Sequence, residues 1–433
     1  VRLSIEKLIY GGDGLARTPP GADGRSMAVF VPFVSPGEQV EVDLWQERPG
    51  FARGTVTQII EASSDRIGAG CPYFQQCGGC HYQHIPYERQ LGFKAQIFRE
   101  TLRRVAKLEL TNEIQVHPSP PWNYRNRARL QVRTSPEFAV GYYRMGSREF
   151  LPVRECPITS PLINRVIARF TELGGLECPE AVEEIELFAN ASDTQLLGWA
   201  FCRGNTDESV ALRWAEALRS SLPELIGFSL FSSRQREQAE VLTTPRLLAR
   251  SGASNLRYKA QRGEYQVSTG AFFQVNRHLV DELVSVVTSG VSGEIALDLY
   301  AGGGLFTQPL ANVIRHIFAV EASQTSLCDL RQNVSASVKV IGTHVEEYLR
   351  SRPARKRPDL VVLDPPRTGA GKMVTRSLVE LGARQLRYVS CDPATLARDI
   401  APLTAAGYRI DAVHLFDHFP QTFHIESVVL LER

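Results

Sequence analysis

The chain has no long apolar run. Nowhere in its 433 residues do about 20 consecutive apolar residues occur, so no membrane span is expected. Its opening, VRLSIEKLIYGGDG, lacks the layout of a secretory signal, and the chain reads as cytoplasmic. It also lacks a charge excess: 49 Lys and Arg stand against 47 Asp and Glu, a net charge of +2. The composition as a whole therefore points to no polyanionic partner, and only local clustering of charge can do so. Cysteine is scarce, with eight in the chain, too few for a disulfide scaffold in a chain that reads as cytosolic. What is present, 43% hydrophobic and 22% charged residues, excludes a disordered chain, a collagen-like repeat and a coiled-coil rod. At about 150 residues per domain the length allows roughly three domains.

Residues 1–62 predict a small all-β unit. MAVFVPFVSPGEQVEVDLWQERPGFARGTVTQII alternates apolar and polar residues, with turns at Pro36-Gly37 and Pro49-Gly50. About five short strands closing into a barrel would leave no open edge. A helix is expected from about Tyr87 to Ala106, with Leu91, Ala95, Phe98, Leu102 and Val105 as its apolar stripe.

Residues 122–148, WNYRNRARLQVRTSPEFAVGYYRMGSR, hold six arginines against one glutamate, interleaved with Trp122, Tyr124, Tyr142 and Tyr143. Arg125, Arg127 and Arg129 alternate and would share one face of a strand. With Arg133, Tyr142 and Arg144 they suit a partner that carries phosphates and displays bases, single-stranded RNA above all. A charged sheet face with buried tyrosines is the plainer alternative. Residues 171–200 hold seven acidic residues and no Lys or Arg, so that surface is expected to point elsewhere.

From about residue 271 short apolar runs alternate with helical stretches: EIALDLYAGGG, HIFAVEAS, LVVLDPPRTG, LRYVSCDPAT and SVVLLER. This is the rhythm of an open, largely parallel sheet, whose ligands lie beyond the carboxyl ends of the strands. ALDLYAGGGLFT supplies a strand, an acid (Asp298) and a glycine turn through Gly302, Gly303 and Gly304. Neither the GxGxxG fingerprint nor a P-loop is present. Glu321, ending the next run, can bind a ribose diol. NAD and S-adenosylmethionine both fit that much. Asp364-Pro365-Pro366-Arg367, an acid and rigid prolines at a strand end, favours a methyltransferase gripping a planar base, and hence S-adenosylmethionine.

Cys391 follows a strand directly, and Asp392, Pro393 and Ala394 form a helix start after it. Reactive thiolates favour such corners. Cys328, in SLCDLRQN, reads as a helix packing residue, and Cys178 and Cys202 are given no role. A methyltransferase acting on nitrogen or oxygen needs no thiol. Carbon 5 of a pyrimidine is a poor nucleophile, and addition of a thiolate at C6 makes it enolate-like. A base must then remove the C5 proton before the cysteine leaves. Glu426, just before the final strand, is the carboxylate available, although a surface acid would look the same in sequence.

FFQVN, DLYAGGGLFT, DPPR, SCDPATLARD and FPQTFHIES, in that order, make the chain resemble the uracil-C5 RNA methyltransferases. The resemblance implies Cys391 as nucleophile and Glu426 as proton-abstracting base. It also implies Gln274, Tyr300, Gly302, Gly304, Leu305, Glu321, His344 and Asp364 as cofactor-site positions. Leu305 stands where the family often has Asn, which removes one side-chain hydrogen bond. Phe423 is bulkier than the glycine of some relatives and would reshape the target pocket. SIEKLIYGGDGLAR and VFVPFVSPGEQVEV resemble the TRAM barrel, an RNA-binding module.

Cys71, Cys77 and Cys80 fall within ten residues, and Cys156 is the natural fourth ligand. Spacing alone leaves zinc and an iron–sulfur cluster both open. CPYFQQCGGC resembles the family's [4Fe-4S] motif, which implies a cluster with a structural or RNA-shaping role.

The expected protein is thus an α/β multidomain enzyme. Residues 1–62 form a TRAM-like barrel, 63–270 a central α+β domain with the cysteine cluster, and 271–433 a Rossmann-like methyltransferase domain, on which helix 87–106 can pack. The expected substrate is RNA, 23S rRNA ahead of tRNA, with no membrane and no obligate protein partner. A base-nitrogen RNA methyltransferase and a non-catalytic RNA-binding protein are the rival readings.

Overall fold

The computed structural model describes residues 1–21, 24–173, 175–204, 206–232, 245–351 and 357–433. Position 174 of the acidic segment lies outside them. Strands β1 (Arg2–Leu8), β2 (Gly14–Arg17), β3 (Ala28–Val31), β4 (Gln39–Arg48) and β5 (Phe51–Glu61) close into a barrel in the order β1-β2-β3-β5-β4. The alternation is what fills it: Leu3, Ile5, Val29, Val31, Val40 and Val42 point inward.

Helix α1 (Tyr87–Thr101) continues as a π-helical turn, Leu102–Ala106, and leads to β6 (Ile114–His117). The buried face differs from the expected stripe. Gln90, Phe93, Lys94, Ile97 and Phe98 are buried, whereas Val105 is exposed. Apolar periodicity missed this face because two of its members are polar and find partners in the C-terminal unit.

The middle of the chain supplies β7 (Arg127–Arg133), β8 (Ala139–Tyr143), β9 (Phe150–Pro152), α2 (Pro161–Glu172), β10 (Val182–Ala189), β11 (Leu196–Cys202), α3 (Glu208–Ser221), β12 (Leu225–Ser232) and β13 (Leu247–Gly252). Among the described residues its strands form a seven-stranded sheet, β13-β12-β11-β10-β7-β8-β9. The register of β7 against the acidic β10 pairs Arg127 with Phe188 and Arg129 with Glu186. This overturns the expectation that the basic and acidic segments face apart. They are neighbouring strands, and their charges meet across the sheet. A hairpin, β14 (Asn255–Ala260) and β15 (Gly263–Ser268), follows.

The C-terminal unit runs α4 (Val280–Thr288), β16 (Gly293–Leu299), α5 (Thr307–Leu310), β17 (Ile314–Glu321), α6 (Gln324–Asn333), β18 (Lys339–Gly342), α7 (Val345–Ser351), β19 (Leu360–Leu363), α8 (Gly371–Leu381), β20 (Gln385–Ser390), α9 (Pro393–Ala405), β21 (Arg409–Phe416) and β22 (Glu426–Glu432). Its sheet has the order β18-β17-β16-β19-β20-β22-β21-β6. All pairings are parallel except those of β22, which runs against β20 and β21. Strand β6 thus extends this sheet from far upstream in the chain. Phe93, Ile97, Phe98 and Leu102 share one core with Leu299, Leu363 and Leu386 of its strands. Cys328 lies on α6 but is exposed, so it is not the packing residue expected. No helix among the described residues is long and apolar enough to cross a membrane.

Candidate active site

The carboxyl ends of β16, β17, β19 and β20 align in one edge of the sheet, because the parallel register pairs Leu299 with both Val320 and Leu363, and Leu363 with Tyr388. After β16 the chain turns through Tyr300, a non-glycine residue at φ 62°, then Gly302 and Gly304 at positive φ. A left-handed tyrosine is uncommon and costs of order 1–3 kcal/mol, a strain that often marks a ligand site. At Gly304 a Cβ would lie 2.9 Å from Leu330 Cδ1, so α6 can approach only a glycine there. The Gly302 amide donates to Glu321 (2.8 Å), which also accepts from the Ser323 amide (2.6 Å), so the carboxylate is fixed at the turn. Tyr300, Gly302 and Glu321 are therefore gathered at one corner. The Leu305 carbonyl accepts from the Tyr265 hydroxyl (3.0 Å), while its side chain packs into the apolar core. Gln274 is buried two residues before Asn276, whose amide holds the His418 carbonyl (3.3 Å). His344 is exposed just before α7.

The second corner lies at β19, β20 and β22. Because β22 is antiparallel to β20, its first residue lies at the edge where β20 ends. Ser390 pairs with Ser427, which sets Glu426 opposite Cys391. Asp392 caps α9, accepting from the Ala394 and Thr395 amides (both 2.9 Å). Burial pushes the Cys391 thiol up to about 12, reinforced by Glu426 and Asp364 and opposed by Arg367. Burial likewise raises Asp364 to about 7, and it holds Glu426 well above the carboxylate range, with Asp364 adding to that and Arg367 opposing it. Neutral histidines border the corner. Burial lowers His424 to about 3, and Arg367 Nη2 lies 3.2 Å from its Nδ1.

Sequence reasoning missed the supports of this corner. Gln90 donates to Gln421 Oε1 (2.9 Å) and accepts from its amide (3.0 Å), while the Tyr124 hydroxyl donates to the Pro420 carbonyl (3.1 Å). All fix the segment leading to Glu426. Polar residues on a helix carry no sequence signal that tells such anchors from a solvated face.

Cys71, Cys77, Cys80 and Cys156 line a single cavity of about 390 Å³. Burial pushes Cys80 to about 12 and Cys156 to about 11, and neighbouring cysteines add to both. Four soft donors converging on one cavity fit a thiolate-ligated metal group in their chemistry. As placed, no three His, Cys, Asp or Glu side chains among the described residues are gathered for a single ion.

The arginine segment is less free than its composition suggests. Arg127 donates to Glu186 (2.5 Å) and the Ala271 carbonyl (2.7 Å), and sits 5.0 Å from the Trp199 ring centroid. Arg129 pairs with Glu186 (2.9 Å) and Glu184 (3.3 Å). Arg125 donates to the Arg127 carbonyl (2.8 Å) and Arg144 to Glu149 (2.9 Å). Tyr142 packs against the core of the central sheet and lines the cysteine cavity. Arg133 remains exposed over Phe150.

Comparison with known proteins agrees with this architecture. The family described as tRNA (uracil-5-)-methyltransferase matches residues 86–433. An uncharacterized RNA methyltransferase of Aquifex aeolicus is 32% identical over 440 residues, covering 100% of this chain and 98% of that protein. A 23S rRNA (uracil(1939)-C(5))-methyltransferase of Halomonas elongata is 32% identical over 446 residues, covering 100% of this chain and 89% of that protein. The crystal structure of Pyrococcus abyssi tRNA (uracil-54, C5)-methyltransferase with S-adenosyl-L-homocysteine superposes over the whole of both chains with a TM-score of 0.73 at 22% identity, a likeness of fold. The strand-end acids, the glycine turn and the matched span leave one conclusion: the chain belongs to the tRNA (uracil-5-)-methyltransferase family and is an S-adenosylmethionine-dependent RNA uracil-C5 methyltransferase.

Proposed function

We propose that the enzyme methylates one uridine of 23S rRNA through a transient bond between Cys391 Sγ and C6 of the base. The observation that carries this reading is the strand register that sets Glu426 opposite Cys391. Addition of Sγ to C6 converts C5 into an enolate carbon, and the thiol proton leaves to solvent. S-adenosylmethionine, when bound, supplies an electrophilic methyl group for that carbon. Glu426 then takes the C5 proton, the C5–C6 double bond re-forms, and the departing sulfur recovers a proton from Glu426. Arg367 favours ionisation of both Cys391 and Glu426. Tyr300, Gly302, Gly304, Leu305, Glu321, Gln274, His344 and Asp364 would line the cofactor cleft, with Glu321 on the ribose diol.

Residues 1–62 act here as an RNA-binding barrel and 63–270 as the central RNA-binding domain, with one uridine flipped out of its strand into the catalytic corner. Of the arginine segment, Arg133, exposed over Phe150, marks the face on which that RNA would lie, with Arg125, Arg129 and Arg144 beside it, whereas Arg127 and Tyr142 are taken up by the fold. Cys71, Cys77, Cys80 and Cys156 would hold a [4Fe-4S] cluster that shapes this region. The chemistry at Cys391 needs no electron, so no step runs through it. Full-length similarity to the Halomonas 23S rRNA enzyme supports the choice of substrate. The test is transfer of labelled methyl to separated, unmodified 23S rRNA and tRNA, followed by mass mapping. 5-Methyluridine in 23S rRNA is expected. The same product in tRNA alone moves the substrate, and label on a base nitrogen overturns the role of Cys391.

A further inference from the structure

The turn that carries Asp364 and Arg367 is fastened along the helix that follows Cys391. Strands β19 and β20 pair in parallel, Leu363 against Tyr388, so residues 364–371 leave the sheet beside the strand that delivers Cys391. Thr395, Arg398 and Asp399 of α9 recur at helical spacing and share the face turned toward that loop. The Thr395 hydroxyl lies 3.2 Å from both the Arg367 carbonyl and the Asp392 carbonyl, so one proton bridges the turn and the residue after Cys391. Arg398 Nη2 donates to the Thr368 carbonyl (2.8 Å) and to Asp399 Oδ1 (2.8 Å). Asp399 is buried, and its other oxygen accepts from the amides of Ala370 (2.7 Å) and Gly371 (3.3 Å) and from the Tyr388 hydroxyl (2.8 Å). The loop is shaped for this approach. Gly369 stands at φ 77°, and a Cβ there would collide with the Asp399 carboxylate.

We infer that Thr395, Arg398 and Asp399 are positioning residues that hold the Asp364–Arg367 turn at a fixed spacing from the nucleophile. The inference rests on the reading of Cys391 as that nucleophile and deepens it. Cys391 and the turn leave different strands, and the pairing of those strands stops at Leu363 and Tyr388, short of both. Helix α9 closes that gap. Its first turn is tied to the peptide of Cys391 through the Asp392 cap, and its next turn carries the loop. The loop's carbonyls and amides are satisfied by side chains of one helix face, which leaves them no need of water and keeps the loop rigid. Sulfur, carboxyl and guanidinium therefore meet a bound uracil in one register, which addition of Sγ to C6 requires before any methyl is transferred.

The test uses the full-length enzyme with substrate RNA carrying 5-fluorouridine at the target, in single turnover well below the unfolding temperature. Fluorine at C5 cannot leave as a proton does, so the Cys391–C6 bond persists after methyl addition and its rate of formation can be read directly. Thr395→Val removes the bridging hydroxyl at constant shape. Arg398→Met releases Thr368 and leaves Asp399 its three other donors, and the arginine side chain is 43% exposed, so the fold should tolerate its loss. Each variant is expected to form the adduct about tenfold more slowly, the scale of a small misplacement of reacting groups, with KM for RNA and for S-adenosylmethionine unchanged. Thr395→Ser keeps the hydroxyl and should restore the wild-type rate. A wild-type adduct rate in either variant, whatever its melting temperature or KM, makes that side chain structural alone and overturns the inference. A slow Thr395→Ser also overturns it, because the hydroxyl is then not the acting group. If the wild type forms no adduct, or Cys391→Ala stays active, the reading of Cys391 fails instead, and the two failures are thereby told apart.

Discussion

Lys94 and Asp417 form an ion pair, Nζ to Oδ1 2.6 Å, in which neither side chain is exposed. Lys94 also donates to the Phe419 carbonyl (3.0 Å), so a helix upstream of the central sheet holds the segment that leads to Glu426. Removing one partner of such a pair leaves an uncompensated buried charge, at a cost of about 3–5 kcal/mol. Lys94→Met is therefore expected to lower the urea midpoint sharply. Adding Asp417→Asn should recover part of the loss, because the stranded charge is gone. A Lys94→Met protein as stable as the wild type would show that the pair is not holding the segment.

Glu426 and Cys391 make separable predictions. Glu426→Gln keeps the shape of the corner but cannot take the C5 proton. General-base loss costs about 10²–10⁴ in rate. The variant should still form the covalent bond and add the methyl group, so a denaturation-resistant protein–RNA species carrying label is expected on a gel. Cys391→Ala should give neither adduct nor product. Full turnover by Glu426→Gln would remove Glu426 from the reaction.

Much of this corner was legible in sequence because each part is local. DLYAGGGLFT, DPPR and SCDPAT each join a strand end to its own turn, and short-range pattern reveals that directly. The five barrel strands were legible for the same reason, since alternation over a few residues sets which side faces in. Contacts set by long-range pairing were not. The neutralisation of Arg127 by Glu186 depends on β7 lying beside β10. The entry of β6 into the C-terminal sheet depends on its pairing with β21. Gln90 and Lys94 look like solvated helix residues until their partners at positions 421 and 417 are in place.

Asp298 predicts a pH dependence of stability. Burial raises its carboxyl to about 7, with Asp364 and Glu321 adding to the effect and Thr307 Oγ1, 2.5 Å away, opposing it. A carboxyl raised in the folded state favours the neutral form. Its stabilising contribution is complete below the unfolded value near pH 4 and is lost as the pH climbs through 7. Asp298→Asn keeps an oxygen acceptor for Thr307 and removes the titration. Between pH 5 and 7 the stability of the wild type should fall relative to the variant, with a slope approaching about 1.4 kcal/mol per pH unit. Parallel curves would rule out this titration.

The arginines divide by their partners. Arg127→Ala leaves Glu186, which is 5% exposed, to Arg129 alone and removes the cation over Trp199, so a stability loss of about 1–3 kcal/mol is expected. Arg133→Ala touches no such pair. It should leave the melting temperature within about 1 °C and reduce the salt dependence of RNA binding by about one phosphate contact. Equal effects of the two substitutions on RNA affinity, with no stability difference, would restore Arg127 to the RNA face.

The cysteine cavity makes the remaining prediction. Burial keeps the Cys80 and Cys156 thiols protonated to about 12 and 11, so as bare thiols they would remain neutral at physiological pH. A cationic metal group reverses that preference, because thiolate ligation repays the desolvation that burial imposes. Uptake must therefore release protons and weaken as the pH falls. Protein purified without oxygen is expected to carry about four irons and four sulfides per chain, with the brown absorbance of a cluster. Cys156→Ser removes a ligand whose backbone is clamped by Asn164, at 2.8 Å to its amide and 3.0 Å from its carbonyl. Iron content should then fall, while the barrel and the C-terminal sheet, which share no residue with the cavity, keep their fold. Stoichiometric zinc without iron would assign the cavity to a tetrahedral Cys₄ site instead. A metal-free protein whose Cys156→Ser variant is equally stable would remove the metal role altogether.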